Sequence, residues 1–244
     1  MLGAEGHDDD SRPPRVHGWV EGHDPVFGEI APKPTMYGAA YHGLIGEFVD
    51  AMLPETEASR ECLLFHALVM FGNLIGRTRY WTVNGGRHYT NLFAVVVAPT
   101  GEGKGTGYTF THRTLKEADP TWEKCVTGGL TTGEGLINAL RDPVIAKDKH
   151  GADVVVDEGV ADKRMLATCT ELAGLMTSMQ RQDNRLSDYL RQAWDCDRQL
   201  SSISKKSPQV ATGVHLSIIG HITPAELKDR LRTTDVANGL WNRF

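Results

Sequence analysis

Hydrophobic spacing changes character several times along the 244-residue chain. From Tyr41 onward, Leu44, Ile45, Phe48, Val49 and Met52 recur at the three- and four-residue steps of a helix, which stops at Leu53-Pro54. The next stretch, about Ala58 to Ile75, is apolar nearly all round and predicts a helix lying inside the fold. Arg79–Val83 and His88–Thr90 flank Asn84-Gly85-Gly86, a strong hairpin signal. Leu92–Val97 then runs without a polar break and is rich in β-branched residues, as expected of a central parallel strand.

Beyond it the periods alternate. A loop and helix are predicted over 101–118, and Thr131-Thr132-Gly133-Glu134 reads as a capping box opening a helix to Arg141. A short hairpin turns near Asp148–Gly151. Met165–Thr170 reads as a strand, Glu171–Gln180 as a helix, and Leu186, Tyr189, Leu190, Ala193 and Trp194 mark one face of another helix. Residues 200–212 suggest a second hairpin and His215–Ile219 a further strand. Thr223 then caps a helix with Pro224 at its first position. Strands alternating with helices predict an α/β fold with a mainly parallel sheet flanked by helices. No internal repeat is present.

Residues 1–35 have no apolar period and hold five of the eleven prolines and three histidines (His7, His17, His23), a composition of tail or linker. The expected organisation is therefore a tail over 1–35, an N-terminal helical segment and hairpin over 36–90, and a core over 91–244. The tail carries seven acids against three bases, so most of the net charge of −5 lies there and the remainder is close to neutral. No global basic field exists to hold nucleic acid, and any such contact requires a local patch. The cysteines (Cys62, Cys125, Cys169, Cys196) form no CxxC pair, which argues against a disulfide framework or zinc ribbon and for a reducing compartment. No signal-peptide pattern opens the chain, and the longest apolar run, Cys62–Phe71, is about half the ~20 residues of a bilayer span. These features predict a cytoplasmic protein with no membrane contact.

The most informative segment is Val97-Ala98-Pro99-Thr100-Gly101-Glu102-Gly103-Lys104-Gly105-Thr106. A buried strand enters a glycine-rich turn, followed by a lysine, a hydroxyl residue and a helix. Glycines let the backbone curl so that N–H groups converge, and the helix N-terminus adds the positive end of its dipole. Thr100, Gly101, Glu102, Gly103, Lys104, Gly105 and Thr106 are thus candidates to cradle the phosphates of ATP, with Lys104 reaching the β- and γ-phosphates and Thr106 holding Mg²⁺. The match to G-x-x-x-x-G-K-[ST] departs at two places: Ala98 replaces the first glycine and Gly105 takes the hydroxyl slot.

An ATPase of this kind also needs an acid at the end of a second strand. Val154–Glu158 ends in Asp157-Glu158 but lies on a short hairpin. Met165–Glu171 runs from strand into helix, and Glu171 is preferred as the residue that positions water and helps hold the metal. Thr170 stands where a Mg²⁺-organising Asp is expected. His221, after Leu216–Gly220, is placed to sense the γ-phosphate through the attacking water. Arg243 follows a short turn and could neutralise charge in a neighbouring subunit's site. Lys205-Lys206, at a hairpin tip, are candidates for contact with single-stranded DNA.

Together these elements resemble a domain-of-unknown-function family of helicase-like P-loop ATPases from bacterial, phage and plasmid replication proteins, often linked to primase–polymerase modules. The resemblance spans roughly Tyr41 to Phe244. It rests on Tyr41–Leu44, Phe71–Arg77, His88–Phe93, Thr132–Ile137, Leu190–Asp195, Thr212–Thr223 and Ala237–Phe244. It implies a RecA/AAA+-like core with Lys104, Thr106 and Glu171 in the nucleotide roles, Arg243 as a trans-acting arginine, and a homo-oligomeric ring with a primase–polymerase partner. Similar proteins continue past the position of Phe244, which implies a truncated core or a missing helical lid. Two other readings stay open: a nucleotide kinase, from Gly-Lys-Gly-Thr, and a catalytically weak nucleotide-binding scaffold, from Thr170.

Overall fold

A computed structural model describes residues 36–181, 183–196, 198–202, 209–231 and 239–244. Helix α1 (Gly43–Met52) leads to α2 (Arg60–Ile75), whose start is capped by Ser59 Oγ accepting from the Cys62 N–H at 3.2 Å. The hairpin of β1 (Tyr80–Val83) and β2 (Gly86–Tyr89) turns through Asn84 and Gly85, both at positive φ (50° and 81°). That is the two-residue turn whose twist matches the strands it joins.

Then follow β3 (Phe93–Val97), α3 (Lys104–Ala118), β4 (Val126–Gly128), α4 (Gly133–Ala139), the hairpin of β5 (Val144–Lys147) and β6 (Asp153–Asp157), and β7 (Arg164–Cys169). Helices α5 (Leu172–Met179) and α6 (Leu186–Trp194) precede a second hairpin, β8 (Gln199–Ser202) with β9 (Gln209–Thr212). The chain continues through β10 (His215–Ile222) and α7 (Pro224–Arg230). Strands β3, β10, β7 and β4 form one parallel sheet in that order. The three hairpins stay outside it.

Two expectations about the sheet are corrected. Leu92–Val97 does not supply a central strand: among the described residues β3 has a neighbour on one side only, because β10 enters between it and β7. The central role falls to β10, all eight of whose residues are buried, and which runs on through His221 and Ile222. The three-residue β4 was not expected, since Val126-Thr127-Gly128 is too short to show a period.

Side chains on β10 alternate between two packed layers. Leu216, Ile218 and Ile222 join Leu136, Leu172, Leu186 and Leu190 of α4, α5 and α6. On the other face Ile219 joins Val69 and Met70 of α2, with Trp122 and Leu166. Helix α2 is therefore a layer of the core, as its all-round apolar surface required, and residues 36–244 form one compact unit. Each fully buried side chain of the size of Leu63, Val69 or Met70 contributes about 1.5–3 kcal/mol.

A polar seam runs through this second face. Asn73 of α2 donates to the carbonyls of Met165 (2.9 Å) and His215 (3.4 Å) and to Ser217 Oγ (3.3 Å), and accepts from Trp122 Nε1 at 2.9 Å. Its NH2 group fixes α2 over β7 and β10, while its oxygen holds the Trp122 indole. No helix among the described residues is long and apolar enough to cross a membrane.

Candidate functional site

The register levels the carboxyl ends of β3, β10 and β7: Ile222 pairs with Val97, and Gly220 with Cys169. Beyond those ends lies a cleft of about 460 Å³. Ligands of open α/β sheets bind outside the carboxyl ends of the strands. The cleft is lined by residues 100–106 from the loop after β3, by Thr170 and Glu171 after β7, and by His221, Ile222 and Thr223 at the end of β10. Glu57 and Glu226 complete it.

Gly101 and Gly103 adopt positive φ (86° and 67°), which gives the loop its curl. Gly103 also backs onto the start of α2, where an added Cβ would lie 2.9 Å from Ala58 Cα. As N-cap of α3 it offers no capping side chain, so the helix opens with first-turn N–H groups uncapped from that side. Lys104 folds over the loop and donates to the carbonyls of Ala98 (2.5 Å) and Pro99 (2.7 Å). Thr106 Oγ1 donates to Glu57 Oε1 at 3.2 Å.

A magnesium-bound triphosphate is tested by what this loop leaves open. A Cβ added to Gly101 or Gly105 would meet no protein atom within 4 Å, and both residues line the cleft. The loop thus leaves open space beside two residues of the cleft wall. Around that space stand backbone N–H groups, one ammonium and the Thr106 hydroxyl as hydrogen-bond donors, and the carboxylates of Glu57, Glu102, Glu171 and Glu226 as oxygen ligands. These suit phosphate oxygens and a hard, oxygen-seeking cation.

The two acid candidates separate. Asp157 belongs to the β5–β6 hairpin and is held by Arg141 (Nε to Oδ2, 2.6 Å), which lowers its pKa. Glu171, N-cap of α5, faces the cleft. Thr170 lines it too, where an Asp was expected. A second cleft, of about 630 Å³, runs from the end of β7 and the segment after β4 along α5, and shares Thr170, Glu171 and Glu226 with the first.

His221 is buried at the cleft's floor, and its Nε2 lies 2.9 Å from Nε2 of His66 on α2. His66 Nδ1 lies 2.6 Å from the Cys62 carbonyl. A carbonyl only accepts, so His66 carries its proton on Nδ1 and presents Nε2 as an acceptor to the Nε2–H of His221. Among the described residues no donor meets Nδ1 of His221, the acceptor nitrogen of this tautomer. Burial, then the neighbouring His66 and Lys104, push His221 down to about 4, and burial lowers His66 as well. Both rings are neutral at neutral pH, as the hydrogen-bond pattern requires. Burial raises the Cys62 thiol to about 11, so it is no nucleophile.

Arg243 lies elsewhere. Its Nη2 donates to Asp195 Oδ2 at 2.6 Å and its Nη1 to the Gly239 carbonyl at 2.8 Å. The adjoining Phe244 ring packs 5.2 Å from Phe93, at the amino end of β3 and away from the cleft. Lys205 and Lys206 lie outside the described residues. Glu57, Glu226 and His66 were not anticipated as site residues. Glu57 has no local signal, Glu226 reads only as a capping partner of Thr223, and His66 sits in an apolar helix whose facing strand is 155 positions away.

Among the described residues no group of three or more His, Cys, Asp or Glu side chains is arranged to hold a metal ion by itself. Compared with protein-family models and with curated proteins, the chain matches none.

Proposed function

We propose that residues 36–244 form a helicase-like P-loop NTPase core that binds Mg-ATP, of the RecA/AAA+-like kind, working as an oligomer in a mobile-element DNA replication module. One observation carries this reading. Lys104 and Glu171, which follow the non-neighbouring strands β3 and β7, line a single cleft, with His221 on the strand between them.

In this reading the loop amides and Lys104 bind the phosphates, and Thr106 with Glu171 holds the ion, which neutralises phosphate charge. Glu171 orients water, and the bare Nδ1 of His221 accepts a hydrogen bond from it. Arg243, remote from its own chain's cleft, is assigned to a neighbour's.

The test is ATP turnover by the wild type and Lys104→Ala, with and without single-stranded DNA. Turnover that DNA stimulates and the substitution abolishes is expected. Turnover retained by Lys104→Ala overturns the site.

A second reading rests on Thr170 facing the cleft where a metal-organising carboxylate belongs: a scaffold that binds nucleotide with little turnover. Tight binding without hydrolysis, unchanged by DNA, would favour it.

A further inference from the structure

From Cys62 through Gly101 the chain contains no acidic residue, and its three bases of fixed charge, Arg77, Arg79 and Arg87, all lie on or beside the β1–β2 hairpin. This is the local basic patch that the near-neutral charge of the rest of the chain lacks. Among the described residues none of the three arginines forms an ion pair.

The hairpin is also where aromatic surface is left in solvent. Trp81 is 74% exposed and Tyr80 48%. Cross-strand register sorts the side chains onto two faces. Tyr80 pairs with Tyr89 and Thr82 with Arg87, while Trp81 pairs with His88. Arg79 is extended (φ −127°, ψ 144°), so it continues the Trp81 face.

On the first face the groups form a ladder. The guanidinium of Arg77 lies 4.2 Å over the Tyr89 ring, Tyr89 meets Tyr80 edge to face at 5.9 Å, and Arg87 lies 4.6 Å over Tyr80. Cation–π contact holds the Arg87 guanidinium in place over the Tyr80 ring. The opposite face offers a bare indole flanked by Arg79 and His88.

We propose that this hairpin is a binding surface for single-stranded nucleic acid, with bases stacking on Trp81 and phosphates meeting Arg79 and Arg87. Alternating cation and ring matches a polymer that alternates phosphate and base, and such stacking needs no sequence code. With three arginines and no acidic residue from Cys62 through Gly101, the surface carries one sign of charge, which suits a polyanion. A membrane surface would require apolar groups at the leading edge, and the tip is Asn84-Gly85-Gly86.

The surface is separate from the nucleotide cleft. Strand β2 leads into the amino end of β3, whereas the cleft lies beyond the carboxyl end. The inference therefore does not rest on ATP binding.

Fluorescence anisotropy with a labelled oligothymidylate, without nucleotide, tests it. Trp81→Ala should weaken binding about tenfold and Trp81→Phe should restore most of it. Arg79→Glu with Arg87→Glu should weaken it further and flatten the plot of log affinity against log salt by ~0.7 for each phosphate no longer neutralised. Lys104→Ala should bind as the wild type, which separates this surface from the ATP site. Unchanged affinity in both Trp81→Ala and the arginine double variant would overturn the proposal. So would an absence of wild-type binding at about 50 mM salt, or tighter binding to duplex DNA or phosphatidylserine vesicles.

Discussion

Nε2 of His66 and Nε2 of His221 meet at 2.9 Å, and through that contact a helix ahead of the glycine-rich loop sets the proton position on the last strand of the sheet. Two neutral imidazoles can share one hydrogen only in a definite order. The Cys62 carbonyl, 2.6 Å from His66 Nδ1, dictates that order.

Nitrogen chemical shifts should therefore report His66 as the Nδ1–H tautomer and His221 as the Nε2–H tautomer at neutral pH. His221→Ala should lower ATP turnover by about 10²–10³-fold with little loss of nucleotide affinity, because it removes an acceptor for water and leaves the loop intact. His66→Ala should cost turnover through a shifted tautomer of His221. Unaltered His221 shifts in that variant would show that His66 sets nothing.

Acid should unfold the protein through its buried histidines. Burial pushes both His215 and His221 down to about 4 from an ordinary 6.5, and His215 Nδ1 is buried without a partner. Between those values the unfolded chain binds the protons and the folded chain refuses them. Stability is then complete above about pH 6.5 and falls as pH drops towards 4, on the order of 2–3 kcal/mol per histidine. Thermal melts across this window should show the slope, and His215→Gln should flatten it.

Asn73→Leu keeps the volume of a buried side chain and removes its polar atoms. Trp122 Nε1 and the Met165 carbonyl would lose their partners in the core. The expected loss is about 3 kcal/mol, read from urea unfolding. An unchanged midpoint would mean that the seam contributes nothing to holding α2 on the sheet.

Two loop glycines should respond in opposite ways. At Gly103, φ is +67° and an added Cβ would strike the Ala58 backbone, so Gly103→Ala should destabilise by about 2–4 kcal/mol. Gly105 lies inside α3 with open space beside it, so Gly105→Ala should leave stability equal or up to ~1 kcal/mol higher. It should nevertheless weaken nucleotide binding, because its methyl enters the cleft. Calorimetry alongside urea unfolding separates the two effects.

Local order was legible in the residues alone. Period-2 and period-3.6 spacing, Asn84-Gly85 at the hairpin and the Thr223–Glu226 capping box each act within a few positions, so α1, α2, the β1–β2 hairpin and α7 emerge near their observed places. The glycine-rich loop between β3 and α3 was readable for the same reason, since its glycines, lysine and helix are consecutive. The choice of Glu171 over Asp157 followed from what comes after each, a helix or a glycine.

Pairing across the chain was not legible. That β10 enters between β3 and β7, that Glu57 and Glu226 meet at the loop, and that His66 faces His221 all depend on strand order and on which face of α2 lies on the sheet. A single sequence holds no term for contacts between residues more than a hundred positions apart. Those contacts arise only when burial of the apolar layers selects one sheet order over its rivals.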